Sequence, residues 1–171
     1  MRILLAAALT SVLVSPATLK FDAPASWASR TPSSTMRVAE WALPKAAGDA
    51  EDAILTVYFF GATMGGNVQA NLDRWMAQMS QPDGRASKDV ARTSTMTVHE
   101  LKVTLVDVTG TYVAEVTPGS TEHFNKPGFR QCAAVVETPG GPYFVKLTGP
   151  EKTVAKWQDS FTTFMKSLRY E

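Results

Sequence analysis

One cysteine, Cys132, stands in the whole chain. A lone thiol makes no internal disulfide, so no covalent framework holds this fold together. It sits in the apolar run Gln131 to Val136, where a cysteine reads as a small buried core residue. Histidine is nearly as scarce, with only His99 and His123. His99 falls at a predicted hairpin turn and His123 in a Pro/Gly loop. No G-x-S-x-G elbow accompanies them, so no hydrolase triad can be read. Glu122-His123 does not recur at ligand spacing, so there is no zinc motif. Charge of one sign is missing too: 17 Lys and Arg face 16 Asp and Glu. Nucleic-acid binders carry a basic surplus that neutralises phosphates, and this chain has none. No apolar run reaches the roughly 20 residues that span a bilayer.

Phosphate-loop chemistry is also absent, although one stretch imitates it. In ILTVYFFGATMGGNVQANLDRWMAQM, Gly61 and Gly66 match the glycines of G-x-x-x-x-G-K-[ST]. That motif needs a lysine for the phosphates and a hydroxyl for Mg²⁺. Asn67 and Val68 occupy those two positions and supply neither. The glycines instead let the chain turn sharply and expose a helix N-terminus, whose free N–H groups at Gly66–Asn67 can hold an anion. No nucleotide cofactor or metal follows from the sequence. The acidic group Asp49, Glu51 and Asp52 lacks a calcium-loop pattern and reads as a solvated turn.

What is present begins with an export pattern. Met1-Arg2 gives a positive start, Ile3 to Val14 is uncharged, and Ser15-Pro16-Ala17 puts small residues where a signal peptidase reads. Residues 1–17 are therefore expected to be a signal peptide, with residues 18–171 as one domain in the periplasm or outside the cell. No stable membrane insertion is expected once the signal is removed. With 44% hydrophobic and 19% charged residues, the composition is that of a globular chain and not a disordered one.

Periodicity then orders the domain. Lys20 to Ser34, with Trp27, reads as an irregular entry. Met36–Leu43 alternates as a strand, and Ala53–Phe60 is a nearly all-apolar central strand. Val68, Leu72, Trp75, Met76 and Met79 share one helix face. Arg92–Val98 and Leu101–Thr109 flank His99-Glu100. Arg130–Glu137 and Tyr143–Thr148 flank the reversal Pro139–Pro142. A single C-terminal helix from Glu151 carries Val154, Trp157, Phe161, Phe164, Met165 and Leu168 on its stripe. The order β-β-α-β-β-β-β-α predicts an α+β domain: a mainly antiparallel sheet of about six strands packed with two main helices. Trp41, Trp75 and Trp157 fall on predicted buried faces.

The segments NVQANLDRWMAQM and YFVKLTGPEKTVAKWQDSFTTFMKSL look like those of small exported bacterial proteins of unknown function. Over roughly residues 19–171 the organisation resembles the PsbP-like fold, an α/β/α sandwich closed by a long helix after a strand and a Gly-Pro turn. The resemblance implies non-enzymatic roles. PsbP is a lumenal accessory subunit that helps photosystem II retain its inorganic ions, and a nuclear relative binds the GTPase Ran. No functional residue carries across.

The candidate binding residues are Asn67, Asn71 and Arg74, which share the helix face opposite the apolar stripe. Arg74 offers a fork for a carboxylate or phosphate. No complete catalytic constellation exists. The expected function is thus an exported, non-catalytic accessory domain that binds a protein or a small ligand. The alternatives are a hydrolytic enzyme using His123 or His99, or a structural envelope protein.

Overall fold

The computed structural model describes residues 17–171. The expected signal peptide lies almost wholly outside that range. In chain order the elements are β1 (Leu19–Lys20), β2 (Ala28–Arg30), β3 (Arg37–Leu43), β4 (Ala53–Phe59), α1 (Val68–Ala77), β5 (Met79–Ser80) and α2 (Ser87–Val90). Then follow β6 (Arg92–Val98), β7 (Leu101–Tyr112), β8 (Lys126–Glu137), β9 (Tyr143–Pro150), α3 (Glu151–Lys156), α4 (Gln158–Lys166) and β10 (Arg169–Tyr170). An antiparallel sheet runs β2-β3-β4-β9-β8-β7, and the far edge of β7 is shared by β5 and β6. No helix among the described residues is long and apolar enough to cross a membrane.

The α+β class and the antiparallel sheet stand, but among the described residues the sheet has eight strands and not six. The two additions are short. β2 lies within the stretch read as an irregular entry, and Ala28↔Ala42 and Arg30↔Glu40 pair it to β3. β5 lies where the first helix was expected to continue. That helix ends at Ala77, and Met79↔Tyr112 joins the sheet instead. Met79 still becomes buried, so its apolar character fitted either outcome. The buried Ser87 hydroxyl donates to the Met79 carbonyl at 2.6 Å and helps hold the new course.

Two-sided burial explains the sheet's composition. On one face Leu55, Val57, Cys132, Ala134, Val145 and Leu147 pack with Phe161, Phe164, Met165 and Leu168 of the C-terminal segment. On the other, Val106, Ala133, Val135 and Phe144 meet Leu72, Trp75 and Met76 of α1. Strand alternation sends successive residues to opposite faces, so β7–β9 carry apolar residues on both phases. The break in alternation at Leu105–Val106 is such two-sided burial and not a bulge, since register with β8 runs unbroken through it to Gly110.

Burial departs from expectation at three places. Met36 and Val38 are 50% and 44% exposed, because the register shifts between Arg37 and Ala39 and only Ala39, Trp41 and Leu43 pack inward. Trp27 is buried, with its ring 6.1 Å from Trp41 and 5.3 Å from Phe164. The C-terminal helix is not continuous: it breaks at Trp157 into α3 and α4, and the Trp157 indole N–H donates to the Pro44 carbonyl at 2.8 Å. Trp157 is accordingly only partly buried.

The acidic turn has structural work beyond solvation. Asp52 accepts the Lys45 backbone N–H at 2.9 Å, and Glu51 pairs with Lys126. An Asp49 carboxylate oxygen accepts the backbone N–H of Thr153 at 2.9 Å and also the Thr153 hydroxyl. Pro150, the residue preceding α3, offers no side-chain cap, so Asp49 satisfies the helix start from a distant loop. Asp49→Ala should lower the unfolding free energy by about 1–2 kcal/mol, the range for a lost cap. Urea denaturation of both forms checks this, and an unchanged midpoint would count against the capping role.

Candidate functional site

Helix α1 packs on β7 and β8, and among the described residues no helix lies over the β3–β4 part of the same face. That uncovered area forms a groove. Its floor is set by register: Tyr58 lies opposite Phe144 and Thr56 opposite Lys146, with Arg37 opposite Tyr58. Helix α1 supplies one wall with Arg74 and Trp75, extended by its C-cap Gln78, and Ser33, Ser34 and Met36 form the other. The cavity holds about 550 Å³. It continues past Arg37, Tyr58 and Lys146 into a hollow of about 250 Å³ ending at Tyr112, Phe124 and Lys126. At the opposite end Phe60 and Arg74 connect it to a shallow depression beside Met64, Gly65 and Asn71.

Lys146 is the unusual group. Its ammonium donates to Gln78 Oε1 at 2.6 Å and to the Tyr112 hydroxyl at 3.4 Å. It also sits 5.2 Å from the Tyr112 ring centroid. Burial lowers its pKa first, and the charges of Arg74 and Arg37 add to the effect, giving about 7. Burial likewise pushes the Tyr112 hydroxyl up to about 12. Arg37 is neutralised by the buried Glu40 carboxylate, which Arg30 also approaches at 3.4 Å. Neither Arg74 nor Lys146 enters an ion pair among the described residues.

The three residues singled out on α1 take separate positions. Asn67 is the exposed N-cap, and its side-chain oxygen accepts the Ala70 N–H at 2.8 Å. Asn71 is 2% exposed and fully engaged. It donates to the Gly65 and Asn67 carbonyls at 2.6 and 2.9 Å and accepts from the Arg74 guanidinium at 2.6 Å. Arg74 alone of the three lines the 550 Å³ groove. The glycine loop serves close approach. A Cβ on Gly65 would stand 2.8 Å from the Phe144 ring, and Gly66 holds a φ of +70°.

The sequence does not single out Lys146, Tyr58 or Arg37, and Gln78 shows in it only as a polar residue at the spacing of Asn67, Asn71 and Arg74. A signal for Lys146 existed: it is the only charge in YFVKLT, a strand read as central, and a central strand rarely buries a lysine unless it is paired. The histidines lie elsewhere. His99 Nδ1 contacts the Leu168 carbonyl at 3.0 Å, and His123 Nδ1 the Val113 carbonyl at 2.8 Å. Cys132 is buried, and burial with the nearby Asp107 carboxylate pushes its thiol up to about 12. Among the described residues no group of three or more His, Cys, Asp or Glu is arranged to hold a metal.

Comparison with known proteins gives a fold. No protein-family model matches the chain, and no curated protein matches it. Among solved structures, cyanobacterial PsbP (CyanoP) from Synechocystis sp. PCC 6803 is similar, with a TM-score of 0.51 and 11% identity over 96% of this chain and 98% of that one. The Pseudomonas aeruginosa protein PA94, of unknown function, aligns with a TM-score of 0.48 and 11% identity over 76% of this chain and 80% of that one. The chain has a PsbP-like fold.

Proposed function

We propose that this chain is an exported, non-catalytic accessory domain that binds a small ligand in the groove between α1 and the β3–β4 part of the sheet. The observation that carries the reading is the pair Arg74 and Lys146. Both line one cavity of about 550 Å³, and neither has a carboxylate partner among the described residues. Small-molecule sites are concave, mostly apolar and carry a few placed polar groups, and a groove floored by Tyr58 and Phe144 matches that description. In this reading Arg74 touches the ligand, Asn71 positions Arg74, and Asn67 caps the helix that carries both. The exposed Met36 and Met64 give the rim adaptable apolar surface. Non-enzymatic roles are also what the PsbP-like resemblance implies.

A thermal-shift screen of small anions, neutral molecules and cations, run on the purified chain and on Arg74→Gln, tests this. The expected result is stabilisation by at least one compound, lost in the variant, without consumption of that compound. Turnover that disappears in His99→Ala or His123→Ala would instead establish the hydrolytic alternative. Export has its own test. Mass spectrometry of the chain recovered from a periplasmic extract should show a new N-terminus at Thr18, and an intact Met1 in the cytoplasmic fraction would refute it.

A further inference from the structure

The groove's charge and shape narrow the ligand class, on the premise that the groove is the binding site. Four charged side chains lie on or beside its floor: Arg37 and Glu40 from β3, Arg74 from α1 and Lys146 from β9. Glu40 is spent on Arg37 and Arg30, so among the described residues Arg74 and Lys146 have no counter-charge. Among the described residues the Arg74 guanidinium gives one hydrogen bond, to Asn71, which leaves further N–H groups to donate. The Lys146 ammonium is aimed among neutral acceptors, Gln78 Oε1 and the Tyr112 hydroxyl. Around these cations the walls are flat. Tyr58 and Phe60 stack with ring centroids 6.0 Å apart and an interplanar angle of 10°. Phe60 also meets Phe144 at 5.4 Å. Such faces favour a planar apolar partner.

We propose that the groove is a site for a small aromatic carboxylate, its carboxylate held between Arg74 and Lys146 and its ring laid against Tyr58 and Phe144. An aromatic acid fits better than a bare phosphate, because the faces of Tyr58 and Phe144 give its ring apolar contact that an inorganic anion cannot use. Burying an anion beside Lys146 favours the protonated amine, so binding draws a proton from solvent near neutral pH. Tyr58 and Tyr112 also face this amine from β4 and β7, and Lys126 stands at the end of the adjoining hollow, paired with Glu51. The Tyr112 hydroxyl holds its proton throughout the neutral range, which leaves Lys146 as the group that titrates with the ligand.

The test uses benzoate, phenylacetate and indole-3-acetate, each beside its neutral amide, with inorganic phosphate as the bare anion. Isothermal titration calorimetry on the whole chain reads affinity and, in two buffers of different ionisation heat, proton uptake. At least one acid should bind about tenfold or more tighter than its amide. Its affinity should fall about tenfold from about pH 6 to about pH 9, with proton uptake near pH 7. Lys146→Met should abolish both the uptake and the pH dependence, whereas Arg74→Gln should weaken binding and leave the pH dependence in place. Equal binding of acid and amide, or phosphate competing as well as the acids, overturns the carboxylate assignment and leaves the groove as a ligand site. Failure of every acid and amide to bind overturns the assignment outright. If the broad screen for ligands at Arg74 is also blank, the binding reading falls with it.

Discussion

Phe164→Ala should cost about 3–5 kcal/mol of unfolding free energy, the range for truncating a buried phenylalanine. Phe164 is fully buried in α4, and three aromatic rings surround it: Phe21 at 5.4 Å, Trp27 at 5.3 Å and Trp41 at 5.8 Å. These come from the entry segment and from β3, so Phe164 joins the chain's N-terminal stretch to the sheet and the last helix. Alanine removes the ring from water-excluded space and leaves a cavity bounded by large, rigid groups that cannot easily collapse. At this chain size the melting temperature should fall by roughly 10 °C. Phe164→Leu should lose much less, because most of the volume remains. Urea denaturation followed by tryptophan fluorescence reports both stability and the environment of Trp27 and Trp41. A loss below about 1 kcal/mol for the alanine variant would show that this cluster is not the keystone of the packing.

The second large effect is a loss of stability on lowering the pH that falls in the neutral to alkaline range and not in the usual acid one. Lys146 has its pKa lowered from 10.5 to about 7 in the folded protein. Between those values the unfolded chain binds one proton more than the native one, so stability rises with pH across that window and is flat below it. From about pH 7 to about pH 9 the gain should be about 2 kcal/mol, at about 1.4 kcal/mol per unit less the part not yet titrated. Tyr112 acts in the other direction above about pH 10, because its raised pKa means that the native state holds a proton the unfolded chain gives up. The Cys132 thiol, raised to about 12, also opposes the lysine from about pH 9, so denaturation midpoints measured between about pH 6 and about pH 8 report the lysine. Lys146→Met should remove the rise and be more stable than the native chain at the acid end, since no charge remains to be desolvated. A Lys146→Met variant that keeps the same rise would place its origin elsewhere.

Both effects arise from residues that the sequence displays unequally. Phe164 stood on a helical stripe with Phe161, Met165 and Leu168, and all four are buried together. Lys146 stood alone in an apolar strand, a local oddity whose meaning depended on neighbours far away in the chain. The hairpin at His99-Glu100 was legible as a two-residue reversal. Its left-handed backbone, with φ of 43° and 69°, is the price that non-glycine residues meet in such a turn. The breaks were not legible. Trp157 keeps the helical stripe while interrupting the helix, because its indole N–H is drawn to a carbonyl in a distant loop. Met79 fitted the stripe of α1 and left the helix, because an edge position on β7 was open to it.

Period-two and period-3.6 patterns, carried in local sequence, were enough to determine the α+β class, the main strands, the sidedness of both helical regions and the core role of Trp41, Trp75 and Cys132. Such patterns report which face of a segment avoids water, and that depends on nearest neighbours along the chain. The groove needed more. Arg37, Tyr58, Arg74 and Lys146 come from three strands and a helix, and they converge only because β9 inserts beside β4 while α1 stops short of β3. Pairing order and the reach of a helix across a sheet are set by contacts between segments far apart in sequence. No local period records those contacts, so the pairing of Arg74 with Lys146 could be found only in three dimensions.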